Sequence, residues 1–397
     1  MRATRQIGIT GVALHAPSSA NARALEESIY AVTQAALHDA GVSIDDIEGI
    51  VVAGNDQLDG RAISIMAASG SVGGVDRDIL STPSAAEHAF VLGALRIASG
   101  QFKTQLVVAW SPLEVDSVSY ALTLANDPYF HRGLPQDELS AHALQASALE
   151  AAVPGLRQAA IAVVSKNRRH GASAYPDRRI GPVEEAFIAG GKPLRWPLLD
   201  SMVCPPDFGL VAMVLSDAQA IATLDMQDPA WIRGMGWATE PGFLGDRDLS
   251  QLPSLRAACE QAYRAADITH PETAFDLAEV ADATPYQELL AYEGLGLCRR
   301  EDWVEHVAKR RARRGEGVPV NLSGGAHCFN PIFCAGLVRI AEAANQVRGR
   351  AGAHQLPRPR RALAHAASGP AMHYNTVVVL ESAAEPVLQT QAQSARS

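Results

Sequence analysis

Apolar positions switch between two periods along this chain, and each switch marks an element. Ile7–Ala13 is a short apolar run broken by Gly, the pattern of a core strand. Leu25, Ile29, Val32, Ala36 and Ala40 recur at helical spacing, which predicts a helix over Leu25–Ala40 closed by Gly41. Ile47–Ala53 then reads as a buried strand, Ala85–Ser99 as a helix closed by Gly100, and Leu106–Trp110 as another buried strand. The second half repeats this order. Trp231–Ala238 is a predicted strand, Leu255–Ala266 a helix with Leu255, Cys259, Ala262 and Ala266 on one face, and Phe275–Val280 a strand. Pro331–Ala344 is a predicted helix and Tyr374–Leu380 a closing strand.

Buried strands alternating with helices imply α/β sheets covered by helices. The matched order favours a duplicated lobe over two unrelated α/β domains. The first lobe spans 1–222 and the second 223–384, followed by a polar tail, 385–397, expected to be flexible. Residues from about 111 to 205 do not fit the repeat. They form an insertion of loops and helices, and long loops in a compact enzyme usually shape a substrate site or an interface.

Composition narrows the function. The 397 residues carry 43 acidic against 34 basic side chains, a net charge of −9, which argues against nucleic acid or an anionic membrane as the main partner. No run of about 18 apolar residues occurs, so no membrane span is expected. The N-terminus, MRATRQIGITGVALHA, has no long apolar stretch of the signal-peptide kind. The five cysteines, at 204, 259, 298, 328 and 334, form no Cys-x-x-Cys pair. That speaks against a zinc ribbon or disulfide framework, and for a reducing, cytoplasmic setting with no metal site. The stretch Ser69–Gly74 (SGSVGG) lacks the context of a dinucleotide site and reads as a loop.

Six segments carry a family resemblance: SAAEHAFVLGALRIASGQFKTQLVVAW, KNRRHGASAYPD, LDSMVCPPDFGLVAMVLSD, AEVADATPYQELLAYEGLGLC, VNLSGGAHCFNPIFCAGL and RALAHAASGPAMHYNTVVVLE. In this order and spacing, from about residue 5 to 383, the chain resembles the thiolase superfamily. The resemblance is to sterol-carrier-protein-type thiolases and thiolase-like aldolases. It implies an α/β thiolase fold of two pseudo-symmetric βαβαβαββ lobes, back to back, with an inserted loop domain. It also implies a coenzyme A thioester as substrate, with no covalently bound cofactor. The implied partners are a second copy in a homodimer, a small OB-fold zinc-ribbon protein, or a second thiolase-like subunit.

The resemblance implies a cysteine nucleophile at a helix N-terminus, where the dipole lowers its pKa. It further implies an activating histidine in Gly-His-Pro, an Asn or His donor for an enolate oxygen, and a second cysteine near the C-terminus. Here those positions fall on Ser84, Asn330, Ala281 and the Ser368–Gly369–Pro370 turn. Ser84 reads either as an N-cap or as a nucleophile with His88 one helical turn later. Asn330 is a candidate amide donor to an oxyanion, with the backbone N–H groups of Ser84 and Gly369 completing the hole. His327, after the turn Ser323–Gly324–Gly325, is a candidate substitute for the missing histidine, and that turn, with Gly369, a candidate CoA contact. Tyr286, opening YQELLAYEGLGL, is a candidate base, with His373 and Tyr374 behind it.

Two arginine groups are weaker candidates. Lys309–Arg314 (KRRARR) faces either CoA phosphates or solvent, and Arg348, Arg350, Arg358, Arg360 and Arg361 lie near the expected nucleotide entrance. The expected activity is carbon–carbon cleavage of a CoA thioester, retro-aldol or thiolytic. The alternative is a catalytically degenerate subunit that scaffolds or completes a partner. Steroid, aromatic and branched acyl groups all remain open.

Overall fold

The computed structural model describes residues 5–383, apart from 18–22, 61, 113, 125, 128, 130–133, 135, 179–180 and 313–316, and the side chains of 308–312. The tail from 384 and the side chains of the run Lys309–Arg314 therefore lie outside the described residues.

The first half runs β1 (Ile7–His15), α1 (Leu25–Ala40), β2 (Gly49–Ala53), α2 (Asp56–Asp59), α3 (Ser64–Ser71), β3 (Asp78–Thr82), α4 (Ala86–Ala98) and β4 (Thr104–Ser111). The insertion holds α5 (Val118–Thr123), α6 (Glu138–Ala152), α7 (Leu156–Ala174), α8 (Glu185–Ala189) and the small hairpin β5 (Pro193–Arg195) and β6 (Leu198–Leu199). Then come β7 (Gly209–Asp217) and α9 (Ala218–Thr223). The second half runs β8 (Ala230–Thr239), α10 (Pro253–Ala265), α11 (Pro271–Ala274), β9 (Leu277–Val280), α12 (Pro285–Gly294), α13 (Trp303–Ala312), α14 (Ala335–Val347), β10 (Arg361–Ser368) and β11 (Tyr374–Glu381).

The sheet order is β3-β2-β4-β7-β1-β8-β11-β10-β9. From the central β1–β8 pair, the two halves read outward with the same plan. On each side two antiparallel neighbours are followed by a parallel pair, β2–β4 in one half and β9–β10 in the other. Beyond β2 lies the parallel edge strand β3, and beyond β9 a single parallel bridge at Val320. The duplication read from the pattern is thus a pseudo-twofold about β1 and β8, which join only through Gly8–Trp231 and Ile9–Ala230.

Side chains sort by the two-residue period of a strand. Val51, Val107, Val211, Ala362 and Val378 face an inner layer that holds α4 and α14. Ile50, Leu106 and Leu210 face α1, while Ala278, Leu363 and Val377 face α10 and α12. The halves therefore stand back to back across α4 and α14. Glycine makes both outer layers close. A Cβ at Gly11 would lie 2.3 Å from the Ala36 carbonyl oxygen, and one at Gly234 would lie 2.0 Å from that of Ala262. Both strands let an outer helix approach backbone to backbone, as only glycine permits.

Three local expectations change. The helix predicted from Pro331 starts one turn later, at Ala335, because Pro331–Cys334 form a turn closed by the Cys334 N–H on the Pro331 carbonyl. Ser69–Ser71 belong to α3 instead of a loop. Arg348 is buried and pins the lobes together, donating to Asp39 at 2.7 Å and to the carbonyls of Thr10 and Asp228. It is a structural tie and does not mark an entrance.

Candidate active site

A cavity of about 340 Å³ opens where the lobes meet the insertion. Ser84 at the start of α4 lines it from the first lobe, and Asn330, Gly369, Ala281 and Asp282 line it from the second. Ala281 follows β9 and Gly369 follows β10, so the cavity lies beyond the carboxyl ends of parallel strands, where α/β sheets usually hold ligands. The insertion adds Glu138, Leu139 and His142 of α6, and Cys204. Four positions spread from 84 to 369 thus share one wall.

Ser84 is exposed and does not cap α4. The N-cap is Ala85, with no side-chain cap bond. The Ser84 hydroxyl instead lies 2.8 Å from His88 Nδ1 and 2.9 Å from Thr82 Oγ1. The His88 ring packs edge-on against Tyr374, 5.4 Å between centroids, and Tyr374 packs on His373. The structure therefore replaces the cap reading with a hydroxyl–imidazole contact at the mouth of the cavity.

Asn330 lines the cavity with its amide donors engaged. Nδ2 donates to the Cys204 carbonyl at 3.0 Å and to the Pro205 carbonyl at 3.4 Å, and the Asn330 N–H donates to Asp207 at 2.8 Å. Its expected role as a free donor to an oxyanion is not what this geometry offers. Asn330 ties the 204–207 segment to the start of the α14 turn.

Tyr286 does not line the cavity. It is 1% exposed, and its hydroxyl donates to Glu150 at 2.5 Å. Pro285 opens α12, and the helix turns Tyr286 toward α6 while its neighbour Gln287 faces the cavity. His327 is also off the cavity wall. Burial pulls its pKa down to about 4, and its Nε2 finds no partner. Ser323, Gly324 and Gly325 do not line the cavity either. The Ser323 hydroxyl donates to Glu279 at 2.6 Å, and a Cβ at Gly325 would sit 2.0 Å from Asp282 Oδ2. The glycine turn is packing for a buried carboxylate, and of the expected CoA contacts only Gly369 faces the cavity.

Other wall residues were not singled out from the sequence. Burial pushes Asp282 up to about 7, although Arg339 pulls the other way; its oxygens accept from the Ala326 N–H at 2.7 Å and from Asn167 Nδ2 at 2.9 Å. Arg339 bonds Glu279 at 3.1 Å and Ser323 at 2.8 Å through Nη1, leaving buried Nη2 without a partner. Cys204 is the one cysteine on the cavity wall among the described residues. Burial, with Asp282 beside it, drives its thiol well above the ordinary range, so it is held as a thiol donating to the Asp282 carbonyl at 3.7 Å. Cys328 and Cys334 are buried, and burial raises both. Asp282 stands next to the donor position Ala281 and had that much signal. Arg339 and the α6 residues had none, because nothing local shows which helix face meets a cavity built elsewhere.

Comparison with known proteins now bears on this site. Residues 240–382 match the family described as "Thiolase C-terminal domain-like". Benzoylsuccinyl-CoA thiolase subunit BbsB of Thauera aromatica is 26% identical over 216 residues, 54% of this chain and 56% of that protein, so the match spans about half of that relative's length. Among solved structures, an "Ltp2-ChsH2(DUF35) aldolase" superposes with a TM-score of 0.77 at 18% identity, covering 95% of this chain and 97% of that one. Human mitochondrial 3-ketoacyl-CoA thiolase in complex with CoA gives 0.71 at 14% identity, covering 97% of this chain and 100% of that one. The whole chain has the thiolase fold. The sequence match to a thiolase family model is confined to the second lobe, 240–382.

Proposed function

We propose that this protein cleaves a carbon–carbon bond of a CoA thioester, by a retro-aldol route in preference to a thiolytic one. The observation that carries this is the wall of this cavity. The positions where the family resemblance asks for a thiol nucleophile and its histidine present a hydroxyl, Ser84, and an amide, Asn330, while the cysteine that is on the wall, Cys204, is buried as a protonated thiol. Acyl transfer to sulfur needs a thiolate. Retro-aldol cleavage needs only a base for a hydroxyl and a donor for an enolate oxygen, and backbone N–H groups at Ser84 and Gly369 remain candidates for the donor role.

The test compares two substrate sets with the purified protein. A β-hydroxyacyl-CoA should yield a carbonyl compound and a shortened acyl-CoA without added CoA. A β-ketoacyl-CoA with free CoA should react at least ten-fold more slowly. The reverse preference would return the protein to thiolysis.

A second reading has its own support. The Asn330 donors and the Tyr286 hydroxyl are spent on structural partners, as suits a degenerate subunit that scaffolds or completes an active one. The similar aldolase bears a two-part name, Ltp2-ChsH2(DUF35), which supports an assembly with a small OB-fold zinc-ribbon protein; a homodimer or a second thiolase-like subunit are the other forms. Cleavage by the isolated chain would remove this reading.

A further inference from the structure

One wall of the cavity comes from α6, an element of the insertion. Glu138, Leu139 and His142 face the cavity from its first turns. Asp137 caps this helix, accepting from the Ser140 N–H at 2.7 Å, and so fixes the turn that carries Glu138. His142 is 8% exposed and Glu138 is one helical turn before it, with His142 Nε2 and Glu138 Oε1 3.8 Å apart. That spacing is too long for a hydrogen bond, so neither group satisfies the other.

The other ring nitrogen is fully specified. Gln145 Nε2 donates to the Ala371 carbonyl at 3.4 Å, which turns Gln145 Oε1 toward Gln287. Gln287 Nε2 donates to that oxygen at 3.2 Å and to His142 Nδ1 at 3.0 Å. An amide nitrogen only donates, so Nδ1 only accepts, and the ring proton of neutral His142 sits on Nε2. Burial, against the pull of Glu138 and Asp137, keeps the ring on the neutral side. The chain Ala371–Gln145–Gln287–His142 is a tautomer lock built from the second lobe and the insertion. It leaves an N–H donor beside a carboxylate in a cavity whose other polar groups are mostly committed.

We propose that His142 and Glu138 are the proton-handling pair of this cavity, acting on a β-hydroxyacyl-CoA. The inference rests on the carbon–carbon cleavage reading. Glu138 takes the β-hydroxyl proton. The oxygen lone pair forms the carbonyl as the Cα–Cβ bond breaks, and that bond's electrons pass into the thioester enolate. His142 Nε2–H donates to the enolate oxygen without losing its proton. Glu138 then returns its proton to Cα, releasing an aldehyde or ketone and a shortened acyl-CoA. Atoms and electrons balance with no other reactant.

The experiment uses the full-length protein, a β-hydroxyacyl-CoA cleavage assay, and exchange of the α-protons of the acyl-CoA product in D₂O. Glu138→Gln and His142→Leu should each lower kcat by about 10²-fold or more, as loss of a positioned acid–base group or oxyanion donor does, with KM moving less than about three-fold. α-Proton exchange should fall in parallel. His142→Gln, which keeps a donor, should recover at least ten-fold over His142→Leu. Glu138 is part-exposed, so Glu138→Gln decides the matter if His142→Leu melts early. A wild type that cleaves while Glu138→Gln keeps its kcat within three-fold overturns the pair and leaves the cleavage reading standing. A wild type that neither cleaves nor exchanges overturns both.

Discussion

The two lobes share one plan and differ in what they bury. The parallel strand β2 of the first lobe is Gly-Ile-Val-Val-Ala, wholly buried and apolar. Its counterpart β9 is Leu-Ala-Glu-Val, with Glu279 fully buried at its centre, and β10 beside it buries His365. Around them stand Glu288, which bonds Lys166 at 2.6 Å and Asn321 at 2.9 Å, and Glu342, which bonds Tyr175 and His354. The first lobe also buries charges, Asp59, Glu87, Arg96 and Asp217, but none on β2. The second lobe carries a polar interior that receives α6 and α7 of the insertion and backs the cavity. Buried charges cost stability unless paired and hydrogen-bonded, so the second lobe's network depends on its partners.

The sharpest way to break this comparison is to remove one partner from a pair in each lobe. Lys166→Met leaves Glu288, with no exposed side chain, unpaired, and should cost about 3–5 kcal/mol. In the first lobe, Arg77 pairs with Asp45, whose side chain is 88% exposed, and Asp45→Asn should cost about 0–1 kcal/mol. Urea unfolding of the two variants reads both. Similar losses would mean that the second lobe's network is not what distinguishes it.

Acid should find the same lobe. Burial holds His170, His327 and His365 at about 4 in the folded protein, against the ordinary 6.5. Depressed values mean that their contribution is present above about pH 6.5 and lost as pH falls toward about 4. Asp282, raised to about 7, works the other way and gains as pH falls through that value. One acid does not offset three histidines, so the net loss from pH 7 to 4.5 should be on the order of a few kcal/mol. Hydrogen exchange should show β9 and β10 losing protection before β2 and β4. Uniform loss would place the acid sensitivity elsewhere.

A smaller effect than the loss of Lys166 is expected at Tyr286. Tyr286→Phe removes a hydrogen bond to Glu150 and should cost about 1.5–3 kcal/mol at most, with kcat changed less than three-fold. A large fall in kcat at unchanged stability would return Tyr286 to the cavity.

Much of the architecture was legible because it is written in local periodicity. Leu25–Ala40 appears as read, and the unbroken apolar runs of β4 and β11 follow from strands covered on both faces. Boundaries slipped where a turn is held by distant groups, as at Asn330–Cys334, tied down by Cys204, Pro205 and Asp207. The family resemblance singled out Ser84, Asn330 and Gly369, and these line one cavity. The site was not legible at Tyr286, where one helical position separates the cavity from the core, nor at His142 and Glu138, which belong to an inserted helix with no counterpart in the repeat.

The sequence by itself determined the repeated order of strands and helices, the insertion, and the hydroxyl at the start of α4, because each depends on neighbours within a turn or two. Only the tertiary structure decided which side chains share the cavity, which amides are already spent, and which imidazole nitrogen carries a proton. Those outcomes depend on contacts between residues more than a hundred positions apart, such as Gln287 with His142 and Gln145 with Ala371. No local pattern encodes a partner at that distance.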